Sequence, residues 1–124
     1  MREILFRGKH KYCDGTIGEW VYGSLSVMSG GGHAFIIDHS KDYIYEVAPD
    51  TVGQYTGLED CAGMRIYEGD VLRAAGTTEW TVLFDNGAFF ADLGNMPIPP
   101  MVIELISQGE VKVIGNVHDG VIEG

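Results

Sequence analysis

Basic residues are scarce in this chain: 8 lysines and arginines stand against 18 aspartates and glutamates, a net charge of −10 over 124 residues. Such a surface repels nucleic-acid phosphates at long range, so generic DNA or RNA binding is disfavoured. Solubility is the simplest role for the charge. A sharper alternative is an acidic face that imitates nucleic acid and occupies a basic partner. Cysteine is also sparse, with Cys13 and Cys61 alone, and the expectation is a reducing, cytoplasmic location with free thiols. No apolar run approaches the roughly 18 residues needed to span a bilayer. The opening residues MREILFRGKHKY hold no apolar core of signal-peptide length, so no membrane association is expected. With 4 prolines but 18 glycines, the composition suits many short strands joined by glycine turns, not long helices.

The length fits one domain with a core that needs no disulfide or structural metal. Arg2–Arg7 reads as a strand with Ile4 and Phe6 on one face, followed by a charged, turn-rich stretch from Gly8 to Thr16. Trp20–Met28 is extended but keeps no single alternation, and Gly23 is where a bulge would shift it. His33–Asp38 and Tyr43–Val47 flank the turn His39–Asp42 as a hairpin. Residues 51–57 are extended, and Glu59–Gly63 is a turn. In the second half, Asp70–Ala75, Glu79–Asp85 and Ala88–Leu93 are strands, and Asp85-Asn86-Gly87 is a strong hairpin signal because Asn-Gly accepts positive φ. Pro100–Gln108 reads as a short helix stopped by Gly109. Val111–Val117 is the last strand, with Val111, Val113 and Gly115 expected on one face and Lys112, Ile114 and Asn116 on the other. The fold class is mainly β: an N-terminal β-sheet region packed with a C-terminal small SH3-like barrel, and one short helix. Residues 1–124 form a single domain in this reading, with subparts 1–57 and 58–124.

The residues with chemical potential form no recognisable constellation. His10, His33, His39, His118, Cys13 and Cys61 match no zinc spacing. Cys61 sits beside Glu59 and Asp60, carboxylates that disfavour a thiolate, whereas Cys13 lies near Lys9, His10 and Lys11. Ser24, Ser26 and Ser29 lack the Gly-x-Ser-x-Gly setting of a nucleophile elbow. Glu68 and Asp70 are placed on one side of an extended strand, where a hydrolase could use them as acid and base; capping a turn is the plainer role. The Ser29–Gly32 run precedes a strand rather than the helix that a phosphate cradle requires. Phe6–Tyr12, with Arg7, Lys9 and Lys11 between Phe6 and Tyr12, is the one basic and aromatic stretch, and a solvated turn accounts for it. No catalytic, metal or cofactor-binding residue is assigned, and no cofactor is expected.

Taken together, REILFRGK (2–9), WVYGSL (20–25), TVGQYTGLEDCAGMRIYEGDVL (51–72), VLFDNGAFF (82–90) and VKVIGNVHD (111–119) resemble the YopX family. This is a group of small proteins encoded largely by phages and prophages. The central block carries most of the likeness. The turn Glu59-Asp60-Cys61-Ala62 departs from the lysine- or asparagine-rich turn usual in the family, as does the ending VHDGVIEG, and both point to a more acidic surface. The resemblance implies a mostly β-stranded protein that assembles into oligomers, and it supplies no activity or catalytic residue. The resulting expectation is a phage or prophage accessory protein, non-enzymatic, that binds a host or phage macromolecule. A nucleic-acid-associated SH3-like module is the second reading, weakened by the charge. A small metal-dependent hydrolase using Glu68, Asp70 or the histidines is the third.

Overall fold

Side-chain alternation and one close glycine contact place the first strand. In the computed structural model, which describes residues 4–28, 30, 32–74 and 78–121, strand β1 covers Phe6–Lys11. It therefore runs through the stretch read from sequence as the start of a turn. Residues 2 and 3 of the expected strand lie outside the described residues. Gly8 explains the difference, because a Cβ there would stand 3.0 Å from the Val47 side chain. The lack of a side chain lets β1 lie directly against that core residue.

Strands β2 (Ile17–Val27), β3 (Ala34–Asp38) and β4 (Tyr43–Val47) follow. The long β2 pairs antiparallel with β1 from Ile17 to Gly23, then with β3 from Ser24 to Val27. At the handover a Cβ on Gly23 would lie 1.9 Å from the Ile37 carbonyl oxygen. Gly23 is thus a point of backbone contact. The register shift in β2 falls earlier than expected, between Ile17 and Trp20, opposite Lys9–Lys11 of β1. The β3–β4 hairpin forms as read, and Asp42 takes the left-handed conformation in its turn. β4 returns to β1 through the His10–Val47 pairing, so the four strands close into a ring. Val21, Ala34, Ile36 and Val47 fill it, with Phe6, Leu25, Tyr45 and Val52 packed around them. Each valine or isoleucine among them contributes on the order of 1.5–3 kcal/mol when fully buried.

A 3-10 turn at Pro49–Thr51 leads into β5 (Gly53–Glu59), whose first residues pair with β1. Thr51 fixes this passage: its hydroxyl donates to the Ala48 carbonyl at 2.6 Å and accepts the Lys9 N–H at 2.8 Å. The chain divides into two compact units, Met1–Tyr55 and Thr56–Gly124.

The second unit contains β6 (Arg65–Tyr67), β7 (Asp70–Ala74), β8 (Thr78–Asp85), β9 (Ala88–Asp92), helix α1 (Val102–Ser107), β10 (Val111–Asn116) and β11 (Gly120–Val121). Its antiparallel sheet has the order β11-β10-β7-β8-β9. The order of three strands, a short helix and a last strand is the one read from the sequence, and the structure pairs that last strand with the first of the three. The β8–β9 hairpin turns on Asn86 and Gly87, both with positive φ. Ile66, Leu72, Ala74, Val82, Ala91, Val102, Leu105 and Val111 form the core.

One strand departs from its expected alternation. β10 carries a bulge between Val113 and Gly115, and Val111, Ile114 and Asn116 are all buried. A bulge inserts one extra residue and so reverses the facing of those beyond it. The protein is mainly β, with a small barrel, further strands and one short helix, the class expected from its sequence.

Candidate functional site

The four histidines go to separate places. In the first unit, His10 Nδ1 lies 3.4 Å from Glu19 Oε1, His33 Nδ1 lies 2.9 Å from Glu46 Oε2, and His39 Nε2 lies 2.9 Å from the Ser24 hydroxyl. In the second unit, the His118 backbone N–H donates to Asn116 Oδ1. Cys13 and Cys61 are both exposed. Among the described residues, no three histidines, cysteines or acids are grouped so as to hold a metal ion. The Ser24–His39 contact has the elements of a nucleophile and base, but the neighbouring carboxylate is engaged elsewhere. Asp38 Oδ1 accepts from the Ser40 hydroxyl and from the backbone N–H groups of Ser40 and Lys41. Ser26 is also exposed on β2. Ser29 and Gly31 of the Ser29–Gly32 run lie outside the described residues.

The carboxylates of the central block are built into turns. Glu68 and Gly69 form the connection between β6 and β7, so Glu68 and Asp70 do not share one extended strand as read from sequence. Asp70 is buried and accepts the Tyr67 N–H at 2.7 Å. Asp60, counted from sequence among the charges of an acidic surface, is 7% exposed. Its Oδ1 accepts the N–H groups of Ala62 and Met64, and its Oδ2 accepts that of Val113. It ties the turn after β5 to β10.

The basic stretch Phe6–Tyr12 divides along the pleat of β1. On one side the Arg7 guanidinium lies 4.4 Å from the Trp20 ring centroid and Lys9 Nζ lies 5.4 Å from it. Arg7 is buried in that arrangement. On the other side His10 and Tyr12 join residues of β4: His10 meets Tyr12 at 4.2 Å and Tyr45 at 5.0 Å, and Tyr45 meets Tyr43 at 4.6 Å between centroids. The Tyr12 hydroxyl donates to Glu19 Oε2 at 2.8 Å. Glu19 is held below the ordinary glutamate pKa by its own backbone N–H, then by Tyr12 and His10. The same bond raises the Tyr12 phenol above its ordinary value. This group went unseen in the sequence, although the i, i+2 spacing of His10 with Tyr12 and of Tyr43 with Tyr45 puts each pair on one strand face.

The second unit presents apolar side chains outward. Leu83 opposes Phe90 across β8 and β9, and Phe90 in turn opposes Met101. Opposed residues on one sheet face touch, so these form a continuous apolar row. Leu83 is 43% exposed, Ile103 on α1 is 54% exposed and Ile98 in the preceding loop is 83% exposed. On the other face of the hairpin Phe84 and Phe89 pack with ring centroids 4.9 Å apart. Among the described residues no helix is long and apolar enough to cross a membrane.

A family model described as "YopX protein" matches residues 6–120. No curated protein matches the chain.

Proposed function

The chain belongs to the YopX family, and from that premise we propose that it is a phage or prophage accessory protein that acts by binding a host or phage protein, without catalysis. The observation that carries this reading is the apolar row Leu83–Phe90–Met101, with exposed Ile98 and Ile103 in the same unit. Apolar side chains left in water at neighbouring positions mark interaction surfaces in soluble proteins. A protein suits that row better than nucleic acid does, because the chain carries a net charge of −10 and phosphate binding draws on clustered cations. Cytoplasmic action fits the two exposed thiols.

The same row supports a second reading, a homo-oligomer in which copies cover one another's apolar face. The two readings separate by experiment. The full chain and its Leu83→Glu variant are compared by sedimentation and by affinity capture from cells that carry the corresponding phage or prophage. A specific protein retained by the wild type and lost by the variant supports the first reading. A wild-type oligomer that the variant dissociates supports the second. A monomeric wild type whose captured proteins are unchanged in the variant would remove the row as a binding surface. A mobility shift on DNA or RNA at low salt would favour a nucleic-acid role instead.

A further inference from the structure

The line of rings in the first unit ends on a carboxylate, and both are open to solvent. Tyr12 is 42% exposed and Tyr43 is 54% exposed, while the Glu19 side chain is 60% exposed against 18% for His10. We propose that Tyr12, Tyr43, Tyr45 and Glu19 form a recognition site for an arginine side chain presented by a partner protein. The site lies in a different unit from the apolar row, and the inference does not rest on that row.

Three features of the cluster select a cation. Tyrosine ring faces carry partial negative charge and attract ammonium and guanidinium groups placed over them. Glu19 is fixed in position by Tyr12, by His10 and by its own backbone N–H, which leaves about one of the four lone-pair sites of a carboxylate for a ligand. A net charge of −10 over the chain adds long-range attraction for a basic partner. A nucleobase would find rings to stack on, but its flanking phosphates would meet the Glu19 carboxylate.

Guanidinium is favoured over ammonium by shape. It is planar, stacks on aromatic faces and keeps N–H donors along its edge for a carboxylate beside the rings. The rings here are tilted to one another by 42° to 73°, so they offer a creased surface rather than one flat platform of the kind a sugar ring would cover. The fold already makes this pairing internally, with Arg7 stacked on Trp20 at 4.4 Å on the opposite side of β1.

The test is a titration of the isotope-labelled full chain followed by amide chemical shifts, with acetyl-Gly-Arg-Gly-amide as the probe. The lysine counterpart and acetyl-triglycine-amide are the comparisons. Saturable shifts at Tyr12, Glu19 and Tyr45 are expected with the arginine peptide, and weaker ones with lysine. Glu19→Gln should weaken binding up to about fivefold, and Tyr43→Ala about two- to fivefold. Tyr43 is more than half exposed, so that variant tests the ring without emptying the core. Absence of saturable shifts, equal shifts with triglycine or lysine, or unchanged binding in both variants would overturn the proposal.

Discussion

Replacing Asp60 tests how the second unit is held together. Its carboxylate accepts three backbone N–H groups, from Met64 at 2.8 Å and from Ala62 and Val113 at 2.9 Å. Hydrogen bonds to a charged acceptor contribute about 1.5–3 kcal/mol each, and those sharing one carboxylate do not add fully. The N–H groups of Ala62 and Met64 belong to exposed turn residues and regain water when the acceptor is lost. Val113 sits inside β10 beside a bulge, where its N–H is harder to hydrate. A loss of roughly 3–4 kcal/mol is therefore expected for Asp60→Ala, a large fraction of the ~5–15 kcal/mol typical of a domain. Asp60→Asn keeps an acceptor for the turn but aims an amide donor at the Val113 N–H, so about 1.5–3 kcal/mol is expected. Urea unfolding gives the free energy, and amide hydrogen exchange at Val113 assigns the loss to this contact. A cost below about 1 kcal/mol for Asp60→Ala, or unchanged protection at Val113, would show that Asp60 does not tie the turn to β10.

Two further outcomes follow from contacts in the first unit. Gly23→Ala places a Cβ 1.9 Å from a backbone oxygen, which β2 and β3 relieve only by separating. A loss of roughly 3 kcal/mol or more is expected, and retention of the Ser24–Ile37 pairing by amide exchange with unchanged stability would contradict it. Asp14 and Asp38 are held below the ordinary aspartate pKa first by the Thr16 and Ser40 hydroxyls, and Glu46 below the glutamate value by His33. With folded values depressed, their stabilisation is full above the unfolded carboxylate pKa and is lost as pH falls through the folded ones. Carbon-detected titration should find Asp14 below an unstructured aspartate and raised by Thr16→Val. An Asp14 midpoint that Thr16→Val leaves in place would remove the hydroxyl as its cause.

What the sequence discloses is local. The Asn86-Gly87 turn and the facing of Val82 follow from neighbours in the chain, because turn chemistry and pleat period act over a few residues. The ring of β1–β4 depends on His10 meeting Val47, a pairing between strands that no local signal links. The bulge in β10 is equally hidden: VKVIGN reads as a regular alternation, and the extra residue becomes evident only against β7. Gly8 and Gly23 look like breaks in a strand. They are places where another segment lies too close for a side chain. The aromatic line was half legible, since each same-face pair is visible on its own strand, while the adjacency of the two strands comes from the ring.

The acidic excess gains a different meaning once its members are placed. An imitation of nucleic acid needs carboxylates that stand outward, with oxygens available to a basic partner. Asp60 and Asp70 point inward and accept backbone N–H groups. Asp14 and Asp38 close their own turns by accepting from Thr16 and Ser40, and Asp119 accepts from the buried Asn116 amide. Asp14, Asp38, Asp60 and Asp70 each take a backbone N–H near a strand end, which is the service short polar side chains give in turns, while Asp119 holds a side chain there. The eleven strands among the described residues have many such ends, and these five of the 18 acids stand at them. Glu19 lies within β2 and differs from these five in its partners, which are side chains of the aromatic line, its own backbone N–H aside. That difference is the reason to look for recognition at Glu19 rather than across the acidic surface as a whole.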